Sequence, residues 1–412
     1  VLLGTGALAT GLGCSRQESE TAESIADRSG DQTRSDTAVD DLSLDDLLRI
    51  EPGHDELTPE QQLELERIAT LGYVSGSEPV PSRTGVLTYE RGAAHDGLTL
   101  LTYGEGPEAR LIDMEGGVVH CWSYPGAKGW PRARALPNGD LLVITAAPPG
   151  LLRLSRDSEL IWEYGEHAHH DLRVLPDNTI CVLVRTLTTR KNIQGGASII
   201  DDTVTLLDSD GRTLAFISLL QAFERSEFGV KWLEDHPFPD DPDIFHTNSV
   251  EPVYRDGRLH LLLSIRSIDT VAILDVQSGE IVWALAGRWH KQHEAQLVDG
   301  NLLLFDNLGP TKEDPSRGQS RVLEIDLDSG ELIWSYTAPG FFTKRAGAQQ
   351  RLPNGNTLIT ESEGARVFEV TREGEVVWEY VNTRTVPGRP ELILGILRAE
   401  RLPADLASGW AD

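Results

Sequence analysis

Three short stretches of this chain put histidine beside residues that handle protons and anions: His169-His170-Asp171, His246-Thr247-Asn248 and His293-Glu294. A neutral imidazole is a nucleophile and, near neutral pH, a proton carrier. At the far end of the strand-like run after each stretch stand Arg185, Arg266 and Asp306-Asn307 respectively. Guanidinium and amide groups donate hydrogen bonds to anionic oxygens. Together these types supply a nucleophile, proton carriers and anion donors. A single such histidine is more often a structural hydrogen-bonder, but eleven histidines scattered at random would rarely occupy three matching points. The run His167-Ala168-His169-His170 invites a metal reading. Neighbouring residues of a strand point to opposite faces, so only alternate ones can share a metal, and no metal is expected.

The points match because the chain repeats one phrase: a strand, an Asp-Gly-type turn, a strand ending in Trp, a gap, then a strand entered through a Leu-Pro-Asn-Gly-Asn-like turn. Residues 320–359 carry it in full, and residues 270–305, 151–184, 110–145 and, with more drift, 203–264 repeat it. Residues 365–380 are a half-copy. Short strands recurring at this length specify propeller blades. The expected fold is all-β: a six-bladed β-propeller closed by N- and C-terminal strands, with a short helical N-terminal segment. The last copy stops after a hairpin and residues 97–103 lack a preceding one. Joining the two is expected to complete the sixth blade and remove exposed sheet edges. Aligned copies put the histidine stretches, Arg132 and Ala348-Gln349-Gln350 next to the axis. Trp122, Trp162, Trp283, Trp334 and Trp378 share one repeat position and are expected to pack between blades.

Four ordered segments then acquire a common meaning: HHDLRVLPDN (169–178), FHTNSV (245–250), LSIRSIDTVAILD (263–275) with GEIVWAL after it, and QHEAQLVDGNLLLFDN (292–307). They resemble the bacterial arylsulfate sulfotransferases and their wider arylsulfotransferase-like relatives, over most of the chain from about residue 85 to 380. The resemblance implies an exported six-bladed propeller that moves a sulfuryl group from a phenolic sulfate ester to a phenol. It implies a sulfated histidine as intermediate and no nucleotide sulfate donor; no cofactor is expected. By motif position His293 matches the nucleophile, His246 and Asn248 the pocket's His-x-Asn pair, Arg266 its arginine, and His170 or His169 the upstream histidine. His246 or His170 would carry the proton between phenols. The inner-strand reading adds Arg185, Asp306 and Asn307 as substrate-binding groups. Arg266 has a second reading as a partner of Asp269 or Asp275, and Asp306-Asn307 one as a turn after a strand. The partners implied are small phenolic sulfate donors and phenol acceptors.

The main rival is a binding module. AILDVQSGEIVWAL (272–285) also resembles repeats of quinoprotein-type propellers, including the lipoprotein scaffold that assists outer-membrane protein assembly. A scaffold has no need of His, His-x-Asn, Arg and His on successive inner strands. The net charge of −28, from 65 acidic against 37 basic residues, argues against nucleic acid as a partner.

The chain opens on an apolar, small-residue run ending at Gly13-Cys14, which resembles a lipoprotein signal with Gly11 where that pattern prefers Leu. Lipidation of Cys14 would be the one membrane attachment, placing the protein in the periplasm or on the bacterial envelope. The expected domains are a signal-like segment (1–14), an acidic disordered tether (15–46), a short helix and linker (47–84), the propeller (85–387) and a tail packed on its outside (388–412). Cys121 and Cys181 are expected to be buried and unpaired.

Overall fold

The computed structural model describes residues 78–190, 198–229, 242–309 and 318–410. The signal-like segment with Cys14, the tether and the expected helix lie outside the described residues. Six antiparallel sheets, five of four strands and one of five, form the blades of a six-bladed β-propeller. Counted in chain order, their innermost strands are Ile396–Leu402, Arg132–Ala135, Ala168–Val174, Thr247–Arg255, His293–Val298 and Ala348–Arg351. Among the described residues one α-helix, Leu219–Arg225, follows the outer strand of the third blade, with Ser218 as its N-cap.

A blade packs on both faces, so its middle strands are apolar nearly throughout, as in Leu141–Ala146 and Thr270–Asp275. Among the described residues the core accordingly holds six large apolar clusters, one in each seam between neighbouring blades, and a small one of Ala365, Val381 and Ile393. The repeated tryptophans fasten these seams. The indole N–H of Trp122 donates to the Gly139 carbonyl (3.0 Å), that of Trp162 to Ser209 (3.1 Å), that of Trp334 to Arg372 (2.8 Å) and that of Trp378 to Met114 (2.9 Å). Each acceptor lies in the next blade, and Trp283 packs into the seam cluster between the fourth and fifth.

The ring closes with strands from both ends, by a different route from the one expected. The half-copy at 365–380 completes a blade that already holds Ala348–Arg351 and Thr357–Glu361. The vacancy is therefore the innermost place of the first blade, beside Leu98–Tyr103. The segment expected to pack outside fills it: Ile396–Leu402 pairs with Leu98–Tyr103, so the propeller extends beyond residue 387. Gly85–Tyr89 adds to the outer edge of the sixth blade as its fifth strand. Among the described residues Cys121 and Cys181 are both free; Cys181 is buried, and Cys121, expected to be buried, is exposed. Cys121 sits on an outermost strand, where alternation turns Trp122 inward and its neighbour out.

Candidate active site

Three consecutive inner strands share a backbone departure beside their histidines. Pairing with the second strand shifts register between Val182 and Val184 in the third blade, between Thr247 and Ser249 in the fourth, and between His293 and Gln296 in the fifth. His170 (φ 55°), His246 (φ 49°) and Glu294 (φ 54°) adopt left-handed backbone there. Such bulges insert extra residues and re-aim side chains that plain alternation would send into the seams. In the second and sixth blades the innermost strand pairs with the second strand without any shift.

His293 is held by one nitrogen. Its Nδ1 faces two oxygens, Oδ1 of Asn307 at 2.7 Å and the Lys291 carbonyl at 3.1 Å, so Nδ1 carries the proton and donates. The Asn307 amide cannot be turned round, because its nitrogen donates to the carbonyls of Thr343 (2.9 Å) and Ala346 (2.6 Å). Nε2 of His293 therefore keeps its lone pair. Burial and the Arg266 cation hold this imidazole down to about 3, so it is neutral at physiological pH.

The other histidines are anchored through carboxylates. Nδ1 of His246 donates to Asp243 Oδ2 at 2.5 Å, and Arg185 holds the same oxygen at 3.1 Å. Burial alone would raise Asp243, but His246 and Arg185 outweigh it and keep the carboxyl well below its usual range. His169 turns Nε2 to Asp202 (3.2 Å) and Nδ1 to Nδ1 of His170 (2.9 Å). With a proton on His169 Nε2 facing the carboxylate, His170 is the donor of that contact and Nε2 is its acceptor nitrogen. The rings of His170 and His246 meet edge to face, centroids 4.8 Å apart. Burial, then His246 and His169, push His170 well below the ordinary imidazole value.

Beneath the histidines the axis is closed by charge. Glu294, 5 % exposed, is clamped between Arg132 (2.6 Å) and Arg398. Arg132 also reaches Asp171 at 2.9 Å, and Asp171 continues to Arg173 (3.3 Å), which pairs with Glu251 at 2.7 Å. Burial opposes ionisation of Glu294, yet Arg132 and Arg398 prevail and lower it to about 2. Above this plug lies a cavity of about 40 Å³ lined by Arg132, His170, Asn248, His293, Arg345 and Arg398, among others. That is room for about three waters, the scale of one sulfuryl group. In a protein of net charge −28 this lining is locally cationic.

The expected residues divide. His293, His170 and Asn248 line the cavity, and His246 stands against His170. Asn248 donates to the Gln292 carbonyl at 2.7 Å, which fixes its amide. Arg266 lies near enough to His293 to depress it; Asp269 is taken by His290 (2.7 Å) and Asp275 by Arg258 (2.5 Å). His169, Arg185 and Asn307 stand behind the cavity and hold the histidines. Asp306 turns away, binding Arg321 at 2.8 Å and the His290 backbone N–H at 2.9 Å. Sequence reasoning missed Arg398, Arg345, Asp243 and Asp202. The one available signal was Asp201-Asp202 inside a strand that is otherwise aliphatic or threonine after its first residue, since a buried acid needs a partner. Among the described residues no group of three His, Cys, Asp or Glu side chains has a metal-holding arrangement.

Fold and pocket together define a class: a six-bladed propeller with a cavity among its innermost strands lined by histidine and arginine. The family model described as Arylsulfotransferase (ASST) matches residues 132–383, well over half of the chain. The chain belongs to the arylsulfotransferase family and is an arylsulfotransferase-like protein. No curated protein matches the sequence. Among solved structures, a protein of unknown function from Bacteroides caccae is 15% identical at a TM-score of 0.50, covering 73% of this chain and 99% of its own. A streptogramin B lyase is 14% identical at 0.45 (81% of this chain, 99% of its own). BamB from Moraxella catarrhalis is 12% identical at 0.36 (76% and 89%). At these identities the first shows the propeller fold alone.

Proposed function

We propose that this protein transfers a sulfuryl group from a phenolic sulfate ester to a phenol, through a sulfohistidine at His293. The carrying observation is the state of that side chain: neutral, tied at Nδ1 so that Nε2 keeps its lone pair, and on the lining of a cationic cavity the size of the group to be moved. In the first step Nε2 attacks sulfur and an N–S bond forms as the S–O bond to the aryl oxygen breaks. The electron pair leaves on that oxygen, which takes a proton from protonated His246. In the second step neutral His246 takes the proton of an acceptor phenol, whose oxygen attacks sulfur, and the N–S pair returns to Nε2. Atoms and protons balance over the cycle. Asp243 faces His246 through the cycle and balances its charge when it carries the proton, between one turnover and the next.

The transferring oxygens need donors already in place. Arg132 and Arg398 keep their cations against Glu294, and Asn248 and Arg266 stand around the nucleophile.

Release of para-nitrophenol from para-nitrophenyl sulfate, with and without added phenol, tests the reading. Release that depends on phenol and vanishes in His293→Ala is expected, a loss on the order of 10⁴-fold. Equal release with water alone would instead make the protein a hydrolase. Export and lipidation at Cys14 are proposed from the sequence alone; loss of lipid labelling in Cys14→Ala tests them.

A further inference from the structure

We propose that Asn307 is a positioning residue that locks His293 in the Nδ1–H tautomer and so selects Nε2 as the reacting atom. The role rests on the sulfohistidine reading for its consequence in catalysis, but not for the tautomer itself. Neutral histidine exchanges its proton between two nitrogens, and only the unprotonated one attacks. Solvent does not bias this choice here, because His293 is 5 % exposed and Asn307 fully buried.

The bias comes from a fixed acceptor. Asn307 follows the strand Asn301–Asp306, and its backbone carbonyl accepts from Ser320 Oγ at 2.8 Å. Its amide nitrogen is spent on the carbonyls of Thr343 and Ala346. These flank Lys344 and Arg345, in the loop that brings Arg345 to the rim of the cavity. Ser320 Oγ and the Thr343 backbone N–H close the frame at 2.9 Å. Oδ1 can only point at His293. An inverted imidazole would set a bare Nδ1 lone pair against two oxygens, a buried repulsion in place of a hydrogen bond. The same amide thus joins the nucleophile to the loop that rims its substrate.

Substitutions separate this role from packing. Asn307→Leu removes the acceptor with little change in volume, leaving Nδ1 only the longer Lys291 contact. Asn307→Asp keeps the acceptor and adds a charge. Nitrogen-15 spectra of histidine-labelled protein, with His293 assigned by its loss in His293→Gln, read the tautomer directly without substrate. Wild type is expected to show protonated Nδ1 and bare Nε2 throughout the neutral range, and Asn307→Leu a mixture. Asn307→Asp is expected to keep Nδ1–H but bind a second proton at higher pH. The groups that set this proton affinity are Arg266, His246 and Glu294, besides residue 307 itself. In turnover, Asn307→Leu is expected to lower kcat roughly ten- to a hundredfold with KM for the sulfate ester little changed. An Nε2–H tautomer in wild type overturns the proposal. So does an unaltered tautomer in Asn307→Leu, or, should that variant not fold, an unshifted protonation in Asn307→Asp. Correct spectra with no sulfuryl transfer in any variant would leave the lock standing and remove the reaction.

Discussion

The third to fifth blades and the second and sixth meet at the same axis but are built differently. The first group bulges beside its histidines and holds His170, His246 and Glu294 at positive φ. The second group pairs in regular register, and its inner residues, Arg132 and Gln349, reach across to Glu294. Left-handed backbone at a non-glycine residue costs roughly 1–3 kcal/mol. It is tolerated where the regular blades and their seams over-determine the position. The difference teaches where each part comes from: bulged backbone aims the reactive nitrogens, while the ionic floor beneath them joins Arg132 of a regular strand to Asp171, Arg173 and Glu251 of the bulged blades and to Arg398 of the first. Glu294 belongs to both, with its backbone in the bulge and its carboxylate in the floor.

Substitutions in the two groups should therefore move different observables. The largest expected effect is on the floor. Arg132→Met leaves Glu294 and Asp171 short of a buried partner, and stability measured by urea unfolding should fall by about 3–5 kcal/mol. A change under about 1 kcal/mol would mean the floor is not holding the ring. On the bulged side, Asp243→Asn takes the carboxylate from His246, and turnover with phenol should fall on the order of 10²-fold. Unchanged turnover would remove His246 from proton transfer.

A third comparison uses pH. The folded His293 value, about 3, lies below the ordinary 6.5, so the unfolded chain binds the proton first. Wild type should lose stability relative to His293→Gln as pH falls from about 6.5 towards 3, by up to about 1.4 kcal/mol per pH unit. Parallel curves for the two proteins would mean that the imidazole is not held neutral. The smallest effect belongs to a seam: Trp334→Phe deletes the indole N–H bond to Arg372 and should cost about 1 kcal/mol, with turnover unaltered.

Much of this was legible in the sequence because repeats expose themselves. The recurring Trp and Leu-Pro-Asn-Gly-Asn phrases marked outer and inner strands, and that alignment brought three histidines to the axis. The closing strand was misread because Ile396–Leu402 is separated from its second strand, Leu98–Tyr103, by nearly the whole propeller, and Arg398 was lost with it. Asp243 lies in an Asp- and Pro-rich connection that reads as a turn, yet three-dimensional folding makes it the partner of His246. Asn307 was read as a substrate-binding group, but whether an amide faces substrate or a neighbouring ring depends on the acceptors around its nitrogen. Thr343 and Ala346, which decide this, come from the connection between the fifth and sixth blades, more than thirty residues on. Such long-range hydrogen-bond accounting has no local signature.

The most direct test of the central claim is to mix the protein with para-nitrophenyl sulfate, omit the acceptor, quench in base and map the modified peptide by mass spectrometry. The account predicts a burst of one para-nitrophenol per protein and one sulfuryl group on His293, discharged on addition of phenol. Transfer to phenol with no trapped group, or a sulfuryl group on a different residue, would contradict it.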